Sequence, residues 1–196
     1  MELARSKFRI MLVDDHLERL QMLEQVLVAE QHVIVARLDS NADLTAEVNL
    51  HKPDIIFIDV DAPARATLES LAQINKLQPL PVVLCAARSD SETARRAVDA
   101  GVSAYVVNGL QPERVSALLE VAVARFEVQQ NIRLELDAAR TRLADQRDIE
   151  KAKGLLMKRR NLDEAAAFAL LRRMAMDRQQ KIGEFARSLL SAADVL

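Results

Sequence analysis

Tryptophan is absent from these 196 residues, and one tyrosine with five phenylalanines makes up the aromatic content. Glycine (4) and proline (5) are nearly as scarce. Half of the chain is hydrophobic all the same, so Ala, Leu and Val carry the apolar content. That mixture favours helices and a parallel sheet over a β-sandwich. The lone cysteine, Cys85, excludes an intrachain disulfide framework and any cysteine-based zinc site. It fits a reducing cytosol. The three histidines, His16, His32 and His51, are scattered and have no triad or metal-ligand partner in sequence. No catalytic constellation is visible, so an enzyme is not expected and no cofactor is required. The N-terminus lacks a signal-peptide pattern, and no apolar run approaches membrane-spanning length. A cytoplasmic protein without membrane contact is expected.

What is present is charge, unevenly placed. The net charge is −2. Residues 151–196 hold ten Lys/Arg against five Asp/Glu, a net of +5, while residues 1–150 hold seventeen against twenty-four, a net of −7. An acidic front with a basic tail fits a regulatory domain coupled to a polyanion binder. The length allows one large or two small domains.

Short apolar runs alternate with helical patterns through the first 125 residues. Phe8–Val13, Val33–Ala36, Asp54–Asp59, Pro81–Ala86 and Ala104–Val107 read as strands. Leu17–Ala29, Asp43–Leu50, Thr67–Leu77 and Ser91–Ala100 read as helices, and a long one starts from Pro112, a residue suited to a first helical turn. Alternation of this kind predicts an α/β doubly wound, five-stranded parallel sheet with helices on both faces. Ligands and switches of such sheets sit beyond the carboxyl ends of the strands. Asp14, Asp15 and Asp59 fall there. Three converging carboxylates repel one another unless a divalent cation lies between them, so Mg2+ is the candidate cofactor. Asp14 and Asp15 equally suit the cap of the first helix.

This stretch, about residues 7–125, resembles the flavodoxin-like receiver domain of two-component response regulators. The resemblance implies that Asp14 and Asp15 are the metal-binding acid pair and Asp59 the phosphate acceptor. Tyr105 keeps the aromatic position that members of that family use as a switch. The departures are instructive. Cys85 stands where the family has Ser or Thr, and Asn108 and Gly109 stand where it has Lys followed by Pro. Phosphoryl transfer depends on positioned charge and donors around the transferred oxygens. Each missing donor costs about 3 kcal/mol by analogy with oxyanion-hole deletions. A pseudo-receiver controlled by a partner protein is therefore preferred to a phosphorylation-switched regulator.

Val115 to Ile149 contains no Gly or Pro. Leu118, Ala122, Phe126, Ile132, Leu136, Ala139, Leu143 and Ile149 recur at spacings of 4, 4, 6, 4, 3, 4 and 6, an imperfect heptad. A helix from Glu113 to Arg159 would be roughly 70 Å long. Its stripe needs a partner, either a second copy in a parallel coiled coil or the chain's own domains. The homodimer is preferred.

The last fifty residues carry the basic excess. Lys151, Lys153, Lys158, Arg159 and Arg160 are interleaved with Ala152, Leu155, Leu156 and Met157 at helical spacing. Asp163 suits the cap of a following helix, and Ile182 to Leu190 gives a short last one. Phe168 and Phe185 are spaced for the core of a small bundle, leaving no aromatic free to stack on bases. Met157, Met174 and Met176 likewise suit packing.

The segment Lys151–Met157, the run Ala165–Met176 and the turn Ile182–Ala186 resemble, in order and spacing, the ANTAR family of RNA-binding antitermination modules. The likeness is to the NasT-type regulators of nitrate assimilation. It implies a three-helix bundle that binds a leader mRNA with two adjacent hairpins and prevents terminator formation. It also implies inhibition by a periplasmic-binding-like nitrate/nitrite sensor of the NasS type. Phosphate partners on offer are Lys151, Lys153, Lys158, Arg159, Arg160, Arg172, Arg173, Arg178 and Lys181. Gly154 would allow either close backbone approach of RNA or tight interhelix packing. The expected organisation is a receiver-like domain over 1–124, a coiled-coil helix over 113–150 and an ANTAR bundle over 149–196. A DNA-binding module is the alternative use of the tail. A helix-turn-helix would place its basic residues mainly on a recognition helix, whereas here the densest cluster lies on the first, long helix.

Overall fold

The computed structural model describes residues 7–107 and 111–193, in two compact units, Met1–Gln129 and Gln130–Leu196.

All six residues of β3 (Ile55–Val60) are buried, Asp59 among its Ile, Phe and Val side chains, because both faces of the strand are covered. It lies at the centre of a five-stranded sheet of order β2-β1-β3-β4-β5. The neighbours are β1 (Arg9–Asp14) and β4 (Val82–Ala86), and the edges are β2 (Val33–Leu38) and β5 (Ala104–Val107). Every pairing is parallel. Both edge strands are only partly buried, as expected where one side meets solvent.

Side chains alternate between two cores. On one face Met11, Val13, Ile56, Ile58 and Leu84 pack under α2 (Leu44–His51), α3 (Arg65–Leu77) and α4 (Ser91–Asp99). On the other, Ile10, Leu12, Ile55, Phe57, Val83 and Cys85 pack under α1 (Leu17–Ala29) and the start of α5 (Val115–Arg160), through Leu23, Leu27, Val115, Leu119 and Ala122.

Aspartates cap α2 and α4, whereas α1 and α3 start after His16 and Ala64 without a side-chain cap, so neither Asp14 nor Asp15 is the N-cap of α1. Asp43 accepts from the Thr45 and Ala46 amides, each at 3.1 Å, and Asp90 from Thr93 at 2.7 Å. Gly101 (φ 90°) turns the chain after α4, and a Cβ there would collide with Asn75.

The second unit is built from the C-terminal part of α5, α6 (Glu164–Asp177) and α7 (Ile182–Ala193). Ala152, Leu156, Ala167, Leu171, Ala175, Phe185 and Ala186 form its core. Alanines at the contacts let the helices approach closely. At Gly183 an added Cβ would meet the Asp145 side chain of α5. Arg187 of α7 donates to Asp145 at 2.9 Å and to Asp148 at 3.1 Å, fastening the same pair of helices.

The expected alternation of strands and helices is observed. The long helix begins at Val115, after a 3-10 turn at Pro112–Arg114, and ends at Arg160. One core assignment is corrected: Phe185 is buried, but Phe168 is 42% exposed, because α6 turns Ala167 and Leu171 inward. Met176 is exposed as well, whereas Met157 and Met174 pack against the core. No helix among the described residues is long and apolar enough to cross a membrane.

Candidate functional site

The register of the sheet builds the first candidate site. Asp14 pairs with Asp59 across β1 and β3, and Asp59 pairs with Cys85 across β3 and β4. All three sit in one row at the carboxyl end of the sheet, on the face that α1 covers. Asp14 and Asp59 are 5% and 4% exposed.

The geometry departs from the expected trio of acids. Asp15 is exposed, and its carboxylate accepts from the Ser40 amide at 2.8 Å. Arg19, the third residue of α1, reaches over the strand ends instead. Its Nη2 donates to Asp14 Oδ1 at 3.0 Å and its Nη1 to Asp61 Oδ1 at 3.2 Å, while its Nε lies 3.9 Å from Asp59 Oδ2. The His16 amide donates to the same Asp14 oxygen at 2.7 Å, and His16 Nε2 lies 3.5 Å from Asp61. Arg19, Asp61 and His16 were not legible as site residues. Their signal was only that they stand within five residues of Asp14 or Asp59.

Receiver domains in general hold Mg2+ at such an acidic pocket, and Mg2+ demands several oxygens in octahedral order. Among the described residues no group of three or more His, Cys, Asp or Glu is placed to hold an ion. With Arg19 in position, the donors do not fit a divalent cation.

Burial raises the Asp59 pKa above the usual carboxylate range, and the Asp14 and Asp61 charges add to that, against the pull of Arg19. The Cys85 thiol is pushed up to about 12 by burial and by Asp59, so it stays protonated at neutral pH. Cys85 is fully buried in the core beside Phe57 and Val83. Ala86, which ends β4, brings no donor to the strand end either. Tyr105 is half-buried against the α3/α4 side and donates to Ser89 Oγ at 2.6 Å. Asn108 and Gly109 lie outside the described residues.

The second candidate site is the surface of the helical unit. Lys151, Lys158, Arg159, Arg160, Arg172, Arg173, Arg178 and Lys181 are exposed, and none forms an ion pair with the described residues. Arg178 lies over the Phe185 ring, 5.4 Å from its centroid. Lys153 differs. It is 8% exposed, and its ammonium is 2.9 Å from Glu150 and 2.6 Å from Glu164. Those bonds, Glu164 first, raise its pKa. Nothing lies within 4 Å of a Cβ built on Gly154, so interhelix packing does not explain that glycine. Lys151, Gly154 and Lys158 share one helix face, leaving bare backbone between two ammoniums. On α6, Phe168, Arg172 and Met176 line one exposed stripe at i, i+4, i+8.

A doubly wound sheet with paired acids at its carboxyl end, followed by a helical bundle, defines a receiver-type regulator. Residues 10–120 match the response regulator receiver domain, and the chain belongs to that family. Residues 137–190 match the ANTAR domain. Transcriptional regulatory protein PdtaR of Mycobacterium tuberculosis is 29% identical over 182 residues, which is 93% of this chain and 89% of that protein. Chemotaxis protein CheY of Listeria monocytogenes is 27% identical over 58% of this chain and 97% of its own length. The signal receiver domain of the response regulator NarL from M. tuberculosis shares the fold, with a TM-score of 0.52 and 21% identity over 60% of this chain and 97% of that domain.

Proposed function

We propose that this chain is a transcription antiterminator that binds a leader mRNA with two adjacent hairpins and prevents a terminator from forming. The observation that carries the reading is the surface of the ANTAR unit. Eight exposed cations without an ion pair among the described residues share that unit with a strip of bare helix backbone at Gly154 and an exposed Phe168. Unpaired Lys and Arg bind phosphates by releasing counterions. An exposed ring beside an Arg stacks on unpaired loop bases, where RNA sequence is read.

The stretch of α5 from 131 to 144 supports a homodimer. Every residue in it is exposed, Ile132, Leu136 and Leu143 included. Heptad spacing suits a second copy of the same helix, and two copies match two hairpins. Likeness of the tail to NasT-type regulators supports control of nitrate/nitrite assimilation genes, with a periplasmic-binding-like sensor as inhibitor. The loss of donors around Asp59 supports control by such a partner.

Gel shifts with a two-hairpin leader RNA, a single hairpin and duplex DNA test the reading. Nanomolar binding to the paired hairpins, with terminator readthrough in a transcription assay, is expected. Preference for duplex DNA would reject it. Copurification of a sensor protein released by nitrate or nitrite tests the control.

A further inference from the structure

Two buried carboxylates side by side need a positive charge between them, since an uncompensated buried charge is strongly destabilising. In this pocket the charge is already covalently present. One guanidinium reaches Asp14, Asp59 and Asp61 together, at 3.0, 3.9 and 3.2 Å. Arg suits the task because its charge is permanent and its donors are spread over a planar fork. The fit is not saturated. Asp14 Oδ2 and Arg19 Nε are both buried without a hydrogen-bond partner among the described residues. A nine-tenths-buried carboxylate oxygen without a partner is what a metal ligand would look like, yet the guanidinium already holds the other oxygen of the same carboxylate.

We propose that Arg19 is the resident cation of the receiver pocket and takes the place of a divalent ion, so that the pocket does not load Mg2+ while Arg19 stays in. Asp15, turned away to the Ser40 amide, is then not needed as a ligand. The pocket carries its own permanent cation, and its state does not follow the metal supply. The inference rests on the receiver unit alone and stands or falls apart from RNA binding.

Titration calorimetry and thermal melting of the full-length chain with MgCl2 provide the test. The wild type and Arg19→Lys, which keeps the charge, are expected to show no saturable binding in the low millimolar range. Arg19→Gln is expected to bind Mg2+ at least about tenfold tighter and to gain Tm with added metal, as mass action requires. Asp14→Asn in the Arg19→Gln background is expected to abolish that gain. If Arg19→Gln does not fold by itself, refolding with MgCl2 reads the same property: rescue supports the proposal and no rescue overturns it. Wild-type protein that binds Mg2+ as tightly as Arg19→Gln would also overturn it.

Discussion

The Lys153 ammonium lies 2.6 Å from the Glu164 carboxylate and so ties the end of α5 to the start of α6. It is a cation spent inside the domain, whereas Lys158, six residues before the first residue of α6, forms no ion pair among the described residues. Lys153→Gln is expected to lower Tm while leaving the salt dependence of RNA binding in place. Lys158→Gln is expected to leave Tm alone and to reduce the slope of log K against log salt by about 0.7–0.9, the value of one phosphate contact. Equal effects of the two on the salt slope would contradict the distinction.

Gly154 has open space where a side chain would stand. Gly154→Ala therefore removes backbone freedom without a clash and is expected to stabilise the helix by about 1 kcal/mol. RNA affinity is expected to fall at the same time, because a methyl group then stands between Lys151 and Lys158. A melting curve with a matched gel shift reads both. Higher Tm with undiminished binding would show that RNA does not approach this backbone.

Phe168 and Phe185 are the two rings of the ANTAR unit, and they are expected to fail differently. Phe185→Ala opens a core and should cost about 3–5 kcal/mol in denaturant unfolding. Phe168→Ala should cost little stability but weaken hairpin binding by about 1–3 kcal/mol, the worth of one stacked base. Retained affinity in Phe168→Ala would assign the ring elsewhere.

Leu136 and Leu143 are about half exposed on α5 and touch no core. Leu136→Asp with Leu143→Asp is expected to shift the protein from dimer to monomer in sedimentation equilibrium, with circular dichroism of the receiver unit unchanged. A wild type that sediments as a monomer at tens of micromolar would leave this seam without its proposed occupant.

Asp59 carries a pKa raised chiefly by burial. The folded state then holds the proton more tightly than the unfolded chain does. Its ionisation is a net cost to folding, one that grows as pH rises from the ordinary carboxylate value through the raised one and persists above it. Asp59→Asn is accordingly expected to raise Tm at pH 7.5, with the gain shrinking toward pH 4. A variant less stable at pH 7.5 than at pH 4, relative to the parent, would mean that attraction to Arg19 outweighs desolvation.

Much of the candidate site could be read in advance because strands announce their own ends. Asp14 and Asp59 close apolar runs, and a parallel sheet must then bring them to one edge. Arg19 could not be read in this way. Its place over the pocket depends on where α1 lies against the sheet. Phe168 was misread for a different reason. Ala165 to Leu171 is apolar at every position, so periodicity could not say which side of α6 faces the core. Lys153 looked like its neighbours because charge alone does not reveal a partner eleven residues away on another helix.

Order of strands and helices, the long uninterrupted α5 and the basic excess of the tail were determined by the sequence itself, because periodicity, Gly and Pro placement and charge are local properties. Which cation is spent in a salt bridge, which ring is bare and what lies between Asp14 and Asp59 were decided only by the tertiary structure. Those outcomes depend on how helices pack in space, and packing joins residues that no local pattern connects.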